Sequence, residues 1–219
     1  MGERLKRPTT PEELEQLEAD GFWKAIALSK AIGEGSEKIT LQVILEIHRV
    51  IFSNAVPEEA GRFRISGEDI KKLKCIEPPV GRLVQEKMFV FARELDVRIS
   101  KLHQSPKKYN PKKRNEWHER VFDLVAWVQH QIVAIHPFCN GNGRMGRLLT
   151  NLVLRRFGLP PSRVKYEGEN KAEYLQALCQ IDLYTDYKPL KRLIVKSVIE
   201  TVQKELKERR KAQKLKQSH

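Results

Sequence analysis

Residues 135–147 read Ile135-His-Pro-Phe-Cys-Asn-Gly-Asn-Gly-Arg-Met-Gly-Arg147, and they separate two stretches in which apolar residues recur at helical spacing. Gly141 and Gly143 permit backbone conformations that other residues avoid, so successive N–H groups of this turn can converge on one anion. The second helix adds the positive end of its dipole, and Arg144 and Arg147 project from one side of it. The turn therefore predicts a phosphate cradle, and two arginine forks suit a polyphosphate better than a single phosphate.

His136 stands directly before this turn, at the end of the first apolar helix. A lone histidine is more often structural than catalytic. Beside a phosphate cradle, however, an imidazole with a near-normal pKa is placed to take a proton at working pH, so we predict that His136 is a general base. Phe138 is interpreted as a core anchor for the loop, and Cys139 as a small buried side chain rather than a nucleophile. The histidines and cysteines around this turn do not have the spacing of a zinc site.

The rest of the chain predicts an all-α fold. Thr40 is the expected N-cap of a helix whose apolar stripe includes Leu41, Ile44 and Ile51. Between the helices, Phe63 and Ile65 sit among glycines before Pro78 and Pro79, which predicts a short β-hairpin flap over about 61–79. The predicted helices span about 40–52, 80–103, 115–135, 143–157, 170–181 and 188–210.

Composition places the chain among globular proteins: 219 residues with 40% hydrophobic and 32% charged side chains. No run approaches the length of a membrane helix, the first residues lack the apolar segment of a signal peptide, and three cysteines argue against a disulfide scaffold. The sequence thus predicts a soluble, cytoplasmic protein without membrane contact.

The net charge of +13, concentrated at 105–114 and after 204, favours phosphate-bearing partners. A helical nucleic-acid binder is a minor alternative, because such charge runs usually form solvated surface.

The central segment resembles the signature of the Fic family, His-Pro-Phe-x-(Asp/Glu)-Gly-Asn-Gly-Arg-x-x-Arg. Every fixed position matches except the acidic one, where this chain has Asn140. The flap region and the stretch Leu154-Arg-Arg-Phe-Gly-Leu-Pro-Pro161 also look like the core of that family. On this resemblance we expect a Fic core over 40–203, preceded by a helical extension over 1–39 and followed by a basic helix end and tail over 204–219.

The resemblance implies a protein adenylyltransferase that moves AMP from ATP to a Ser, Thr or Tyr hydroxyl of a target protein. His136 would deprotonate that hydroxyl. Asn142 and the backbone of Gly141 and Gly143 would hold the α- and β-phosphates, while Arg144 would bind the phosphate tail and Arg147 the γ-phosphate. The flap would pair its main chain with an extended segment of the target. The flap residues expected to do so are Arg62, Phe63, Arg64, Ile65 and Ser66.

Asn140 departs from the family at the position that normally supplies the Mg²⁺ ligand. An amide oxygen can coordinate, but Mg²⁺ is usually held by one or two carboxylates together with substrate phosphates. The substitution predicts weak Mg²⁺ use or replacement by Mn²⁺. It also keeps two alternatives open, which are a Fic enzyme with another phosphate donor and a catalytically weak protein that binds nucleotide or a partner.

Many family members carry an inhibitory helix with the pattern (Ser/Thr)-x-x-x-Glu-(Gly/Asn). The stretch Ser29-Lys-Ala-Ile-Gly-Glu-Gly35 resembles this pattern with one extra residue, Gly33. The insertion rotates Glu34 by about 100° on a helix, so the match is imperfect. Glu34 is nevertheless a candidate inhibitory residue, and a surface turn is the alternative. An antitoxin partner or self-association is a further expectation from the family.

Overall fold

The computed structural model describes residues 8–68, 70, 74–102, 110–164 and 168–217. Seven α-helices follow one another within this part of the chain. They are α1 (Pro11–Glu34), α2 (Leu41–Phe52), α3 (Gly81–Leu102), α4 (Pro111–Ile135), α5 (Asn142–Arg156), α6 (Glu169–Tyr184) and α7 (Lys188–Gln217). The all-α prediction is confirmed.

Side-chain caps explain where two of these helices begin. Thr40 accepts a hydrogen bond from the Val43 N–H, as its sequence position predicts. Helix α4 starts four residues before the predicted position because Asn110 caps the Lys113 N–H and Pro111 occupies the first turn. The polar residues of this first turn carry no apolar stripe, so periodicity alone placed the start too late.

Helices α4 and α5 form the centre of the bundle and carry the loop that joins them. A Cβ at Gly146 would lie 3.3 Å from the Gln129 carbonyl oxygen, so this glycine lets the two helices approach closely. Thr150 donates to the Gln129 side chain at 3.2 Å, and Gln129 donates to the Tyr174 hydroxyl at 2.9 Å. These buried polar contacts fix the two helices against each other and against α6.

Helix α1 packs against α2 and α5 and is part of the same body. Two glycines make this packing possible. A Cβ at Gly21 would lie 2.1 Å from the Ile51 carbonyl oxygen, and a Cβ at Gly33 would lie 2.8 Å from the Leu152 carbonyl oxygen. Gly33, the residue by which this stretch exceeds the inhibitory pattern, is therefore a point of close contact between α1 and α5.

The flap is less regular than predicted. The described residues between 61 and 79 form turns and extended backbone without paired strands, and residues 69 and 71–73 lie outside the described part. The hairpin prediction is therefore wrong for these residues, because side-chain contacts hold the segment where strand pairing was expected. The guanidinium of Arg64, only 4% exposed, donates to the carbonyls of Pro79, Ile135 and His136.

The cysteines form one bond that the sequence did not predict. Cys75, at the end of the flap, and Cys179, in α6, form a disulfide across a Cα–Cα distance of 5.6 Å, and Cys139 is free. The distance lies within the usual range for disulfides. An odd cysteine count gave no sign of this bridge, because only the fold brings α6 to the flap.

The structure describes only the end of the first basic segment and most of the second. Residues 105–109 of the first lie outside the described part of the chain, Asn110 is the N-cap of α4, and 111–114 form its first turn. The second continues α7 to Gln217, well beyond the predicted end near 210, and the side chains of residues 204–215 are exposed. None of the described helices combines the length and apolar character needed to cross a bilayer.

Candidate active site

His136 caps the C-terminus of α4 in a left-handed backbone conformation, with φ 50° and ψ 59°. The conformation turns the chain out of the helix, and the side chain is 9% exposed. Arg64 supports this strained position, since its Nε donates to the His136 carbonyl at 2.6 Å. Burial lowers the pKa of His136, the Arg64 charge lowers it further, and a hydrogen bond with the Val133 backbone opposes the shift. The imidazole is therefore neutral at pH 7 and able to accept a proton.

Hydrogen bonds within the loop and packing of Phe138 in the core hold the segment after His136 in place. Asn142 accepts from the Phe138 N–H at 3.0 Å and donates to the Phe138 carbonyl at 2.7 Å. The Phe138 ring is fully buried and stacks on His48 with a centroid distance of 3.7 Å. Phe138 thus anchors the loop in the core, as its position predicted.

His48 ties the loop to two other elements. Its Nδ1 accepts from the Gly61 N–H at 3.0 Å, so in the neutral ring Nε2 carries the proton and donates to the Asn140 carbonyl at 3.2 Å. Burial lowers the pKa of His48 to about 4, and the Arg144 charge adds to this shift. A neutral His48 therefore joins α2, the base of the flap and the loop.

The start of α5 has the geometry of an anion site. Gly141 is its N-cap, with φ 80°, and the first N–H groups of the helix have no acceptor within the helix itself. The Arg144 guanidinium lies over the Phe52 ring at 4.7 Å. Arg147 also reaches this turn, since a Cβ at Gly143 would lie 3.4 Å from its Nη1. Both predicted arginines flank one helix N-terminus.

A carboxylate from α1 enters the same site. Glu18 accepts from Arg144 Nη1 at 2.7 Å and from Asn140 Nδ2 at 3.3 Å. The side chains of Glu18 and Arg144 are 18% and 22% exposed. This contact joins positions more than 120 residues apart in the chain, and no local pattern in the sequence signals it.

The sequence model of the Fic/DOC family matches residues 38–154, which include α2 to α4, the whole loop and all but the last two residues of α5. The chain belongs to the Fic/DOC family. The resemblance found in the sequence signature is confirmed. We name residues 136–147 the Fic loop.

Similar proteins bear adenylyltransferase names. A protein adenylyltransferase Fic from Nematostella vectensis is 29% identical over 86% of this chain and 39% of its own length. A protein adenylyltransferase fic-1 from Caenorhabditis elegans is 30% identical over 77% of this chain and 29% of its own length. A solved fragment of C. elegans Fic-1 superposes with TM-score 0.67 and 24% identity, covering 95% of this chain and 56% of that chain. The chain thus spans well under half the length of both curated relatives.

Most of the predicted site residues lie in or beside the Fic loop. The Asn142 side chain, however, binds the backbone of the loop itself. Both ends of its side-chain amide are bonded to the Phe138 backbone, so the amide braces the loop. Its main-chain N–H still belongs to the first turn of α5, where an anion can bind. Asn140, by contrast, is exposed beside the cradle, where its Oδ1 accepts from the Gly141 N–H.

Glu34 is not brought to the Fic loop. Its carboxylate lies 3.3 Å from Arg155 and 4.0 Å from Lys30, near the C-terminal end of α5. Arg155 follows Arg144 by eleven positions, a rise of about 16 Å along the helix. The described contacts therefore give Glu34 a role in joining α1 to α5.

The flap residues lie against the Fic loop, but their main chain is partly occupied. The Arg64 N–H donates to the Pro137 carbonyl at 2.9 Å, which joins the two segments. The Ile65 N–H donates to Glu68 at 2.6 Å, and Glu68 also accepts from Arg62 at 2.6 Å. These hydrogen bonds lower the pKa of Glu68 to about 2. The Ile65 N–H is therefore occupied by the Glu68 carboxylate.

Cys139 faces the flap as a protonated thiol. Burial is the main reason that its pKa rises to about 12, with a further contribution from Glu68. A thiol with such a pKa carries almost no thiolate at neutral pH. This agrees with the prediction that Cys139 is not a nucleophile.

Sequence reasoning missed four residues that organise this site: Glu18, His48, Arg64 in its buried role, and Glu68. A signal existed for His48, which interrupts the apolar stripe of α2 with a polar ring. None existed for the other three, whose partners are distant or lie in irregular backbone.

Gly141→Ala should destabilise the protein by about 2–4 kcal/mol, from the left-handed backbone and from overpacking. An added Cβ would lie 2.6 Å from the Phe52 ring. Gly158→Ala is the matched control, because Gly158 has φ +70° and nothing within 4 Å of the added atom. Urea unfolding of both variants measures the effect. Equal losses would contradict the steric explanation.

The His48 contacts predict a loss of stability in acid. Its pKa is about 4 in the folded protein and near 6.5 when unfolded, so between these pH values the unfolded chain binds the proton. The contribution of His48 to the free energy of unfolding should fall by about 3 kcal/mol as the pH drops from 7 to 4. Urea unfolding across this range tests the prediction. The advantage of the wild type over His48→Gln should shrink by that amount, and a constant difference would contradict it.

The donors at the cradle fit a divalent cation only together with phosphates. Within the described residues, no group of three or more His, Cys, Asp or Glu side chains could hold a metal ion. The loop offers the neutral amide of Asn140, and α1 adds the carboxylate of Glu18 next to it. One carboxylate combined with substrate phosphates is a usual environment for Mg²⁺.

Proposed function

We propose that this chain transfers AMP from ATP to a Ser, Thr or Tyr hydroxyl of a target protein. One observation carries the proposal, namely a buried, neutral His136 directly before a helix N-terminus flanked by Arg144 and Arg147. These residues lie within the matched Fic/DOC region, and curated relatives bear the name protein adenylyltransferase.

In the proposed reaction, His136 takes the proton of the target hydroxyl. The hydroxyl oxygen forms a bond to the α-phosphorus of ATP, the bond from that phosphorus to the bridging oxygen breaks, and pyrophosphate leaves. The N–H groups of the first turn of α5 and the two arginines hold the phosphates and the charge that develops on the leaving group. Positioning and charge neutralisation do most of the work in this class of reaction.

The flap supplies the proposed contact with the target. Its residues 62–66 lie beside the Fic loop, and Ile65 is largely exposed. A target segment that displaces Glu68 gains the Ile65 N–H as a main-chain donor, in the manner of strand addition. The acceptor hydroxyl would then reach His136 from the flap side.

Asn140 favours a second candidate function. Without an acidic residue in the loop, the chain could bind nucleotide or a partner and transfer AMP poorly, or it could use another phosphate donor. Incubation with ATP labelled at the α-phosphate, first with Mg²⁺ and then with Mn²⁺, separates these functions. Label on the chain or on added proteins supports transfer. Saturable ATP binding without any label supports the binding function.

Other partners and the location stay predictions. A cavity of about 660 Å³ between α1, α5 and residues 161–164 includes Arg147 and the exposed Trp23, and it is a candidate surface for an antitoxin or for self-association. The particle mass in solution tests self-association.

A cytoplasmic location is tested by cell fractionation, together with the oxidation state of Cys75 and Cys179.

A further inference from the structure

Glu18 is a charged side chain in an unusual place. Glutamate is rarely shielded from solvent unless it is paired, and here a half-buried carboxylate lies against Arg144 at 2.7 Å. Helix α1 reaches this position because Gly21 allows its backbone to contact α2. The matched family region begins only at residue 38, after α1 has ended.

The carboxylate lies next to the position where the family signature has its acidic residue. Asn140 stands at that position and donates from Nδ2 to Glu18 at 3.3 Å. Its Oδ1 accepts from the Gly141 N–H at 2.7 Å, so the amide is oriented by contacts on both sides. The charge that the loop lacks is therefore present a hydrogen bond away, on another helix.

A carboxylate at this place has opposite effects with and without a cation. Bound phosphates would lie near Glu18 because both use Arg144, and two like charges at close range repel each other. A divalent cation between them removes the repulsion and gains a negatively charged ligand. Glu18 should therefore weaken nucleotide binding without metal and strengthen it when metal is present.

We propose that Glu18 supplies the carboxylate ligand for the divalent cation that accompanies the nucleotide, in place of the acidic residue missing at Asn140. The inference rests on the proposed function, because the phosphates complete the coordination. It makes α1 part of the catalytic site. It also removes the need for the loop itself to carry a negative charge.

The test measures binding rather than transfer, with the full chain, the non-hydrolysable analogue AMPPNP and Mn²⁺. Isothermal titration gives the AMPPNP affinity with and without Mn²⁺, and electron paramagnetic resonance counts the bound Mn²⁺. Glu18→Gln should lower the Mn²⁺ affinity of the nucleotide complex by about tenfold or more. Without metal, the same variant should bind AMPPNP as tightly as the wild type or more tightly.

Two further variants complete the design. Glu34→Gln is the matched control, since Glu34 lies on the same helix but pairs with Arg155, and it should behave as wild type. Asn140→Asp combined with Glu18→Gln should restore Mn²⁺ binding by returning a carboxylate to the site.

Three results would contradict these proposals. Tighter AMPPNP binding by Glu18→Gln both with and without Mn²⁺ would show that Glu18 only competes with phosphate for Arg144. Equal metal dependence in Glu18→Gln and wild type would overturn the ligand role and leave the proposed function standing. A wild-type chain that binds no AMPPNP in either condition would contradict the proposed function, and this inference with it.

Discussion

His136→Ala should lower the rate of AMP transfer by about 10²–10⁴-fold, the usual contribution of a general base. The effect should fall on the chemical step, because the nucleotide is held by the N-terminus of α5 and its arginines, which the substitution leaves in place. Single-turnover transfer of α-labelled AMP measures the rate, and ATP titration measures binding.

His118→Ala is the matched control for this prediction. His118 lies on the same helix, α4, but packs against Trp117 near its other end. Its loss should leave the rate close to that of wild type. Transfer that is equally fast in His136→Ala and wild type would contradict the role of His136 as the base.

The pH dependence of the rate offers an independent check. Because burial and Arg64 lower the pKa of His136, the neutral base should persist below the usual histidine range. The rate should therefore rise with pH along a limb whose midpoint lies under about 6.5 and then level off. A midpoint above that value would contradict the assigned environment of His136.

Reduction of the Cys75–Cys179 disulfide should lower the free energy of unfolding by about 2–4 kcal/mol. The two cysteines are separated by 104 positions, so the bond closes a long loop and restricts the unfolded chain. Guanidinium unfolding with and without dithiothreitol measures the change. The same bond joins the end of the flap to α6, so its reduction should also increase proteolysis of the flap.

The cysteine variants make the test specific. Cys75→Ser combined with Cys179→Ser should be insensitive to reductant, whereas Cys139→Ser should keep the full response because Cys139 is free. Alkylation of the unfolded, unreduced protein should modify one thiol per chain. Three modified thiols would contradict the disulfide.

The sequence could predict the helices and the Fic loop because both depend on local patterns. Apolar spacing located α2 and α3 within a residue or two, and the Gly-Asn-Gly turn located the N-terminus of α5. Turn geometry, dipole and arginine spacing are properties of adjacent residues, so no tertiary structure was needed to infer a phosphate site.

The remaining parts of the site depend on contacts between distant segments. Glu18 reaches Arg144 only because glycines let α1 pack against α2 and α5, and Cys75 reaches Cys179 only through the fold. The sequence placed the inhibitory candidate at Glu34 by pattern, but the rotation of α1 directs that residue to Arg155. Periodicity finds the buried face of a helix and does not identify the partner of a charged residue.

The most direct test of AMP transfer compares two forms of ATP, one labelled at the α-phosphate and one at the γ-phosphate, under the same conditions. The proposed reaction puts the α label on protein in a His136-dependent way and releases the γ label as pyrophosphate. Protein that carries the γ label instead, or that carries no label while binding ATP, would contradict AMP transfer by this chain.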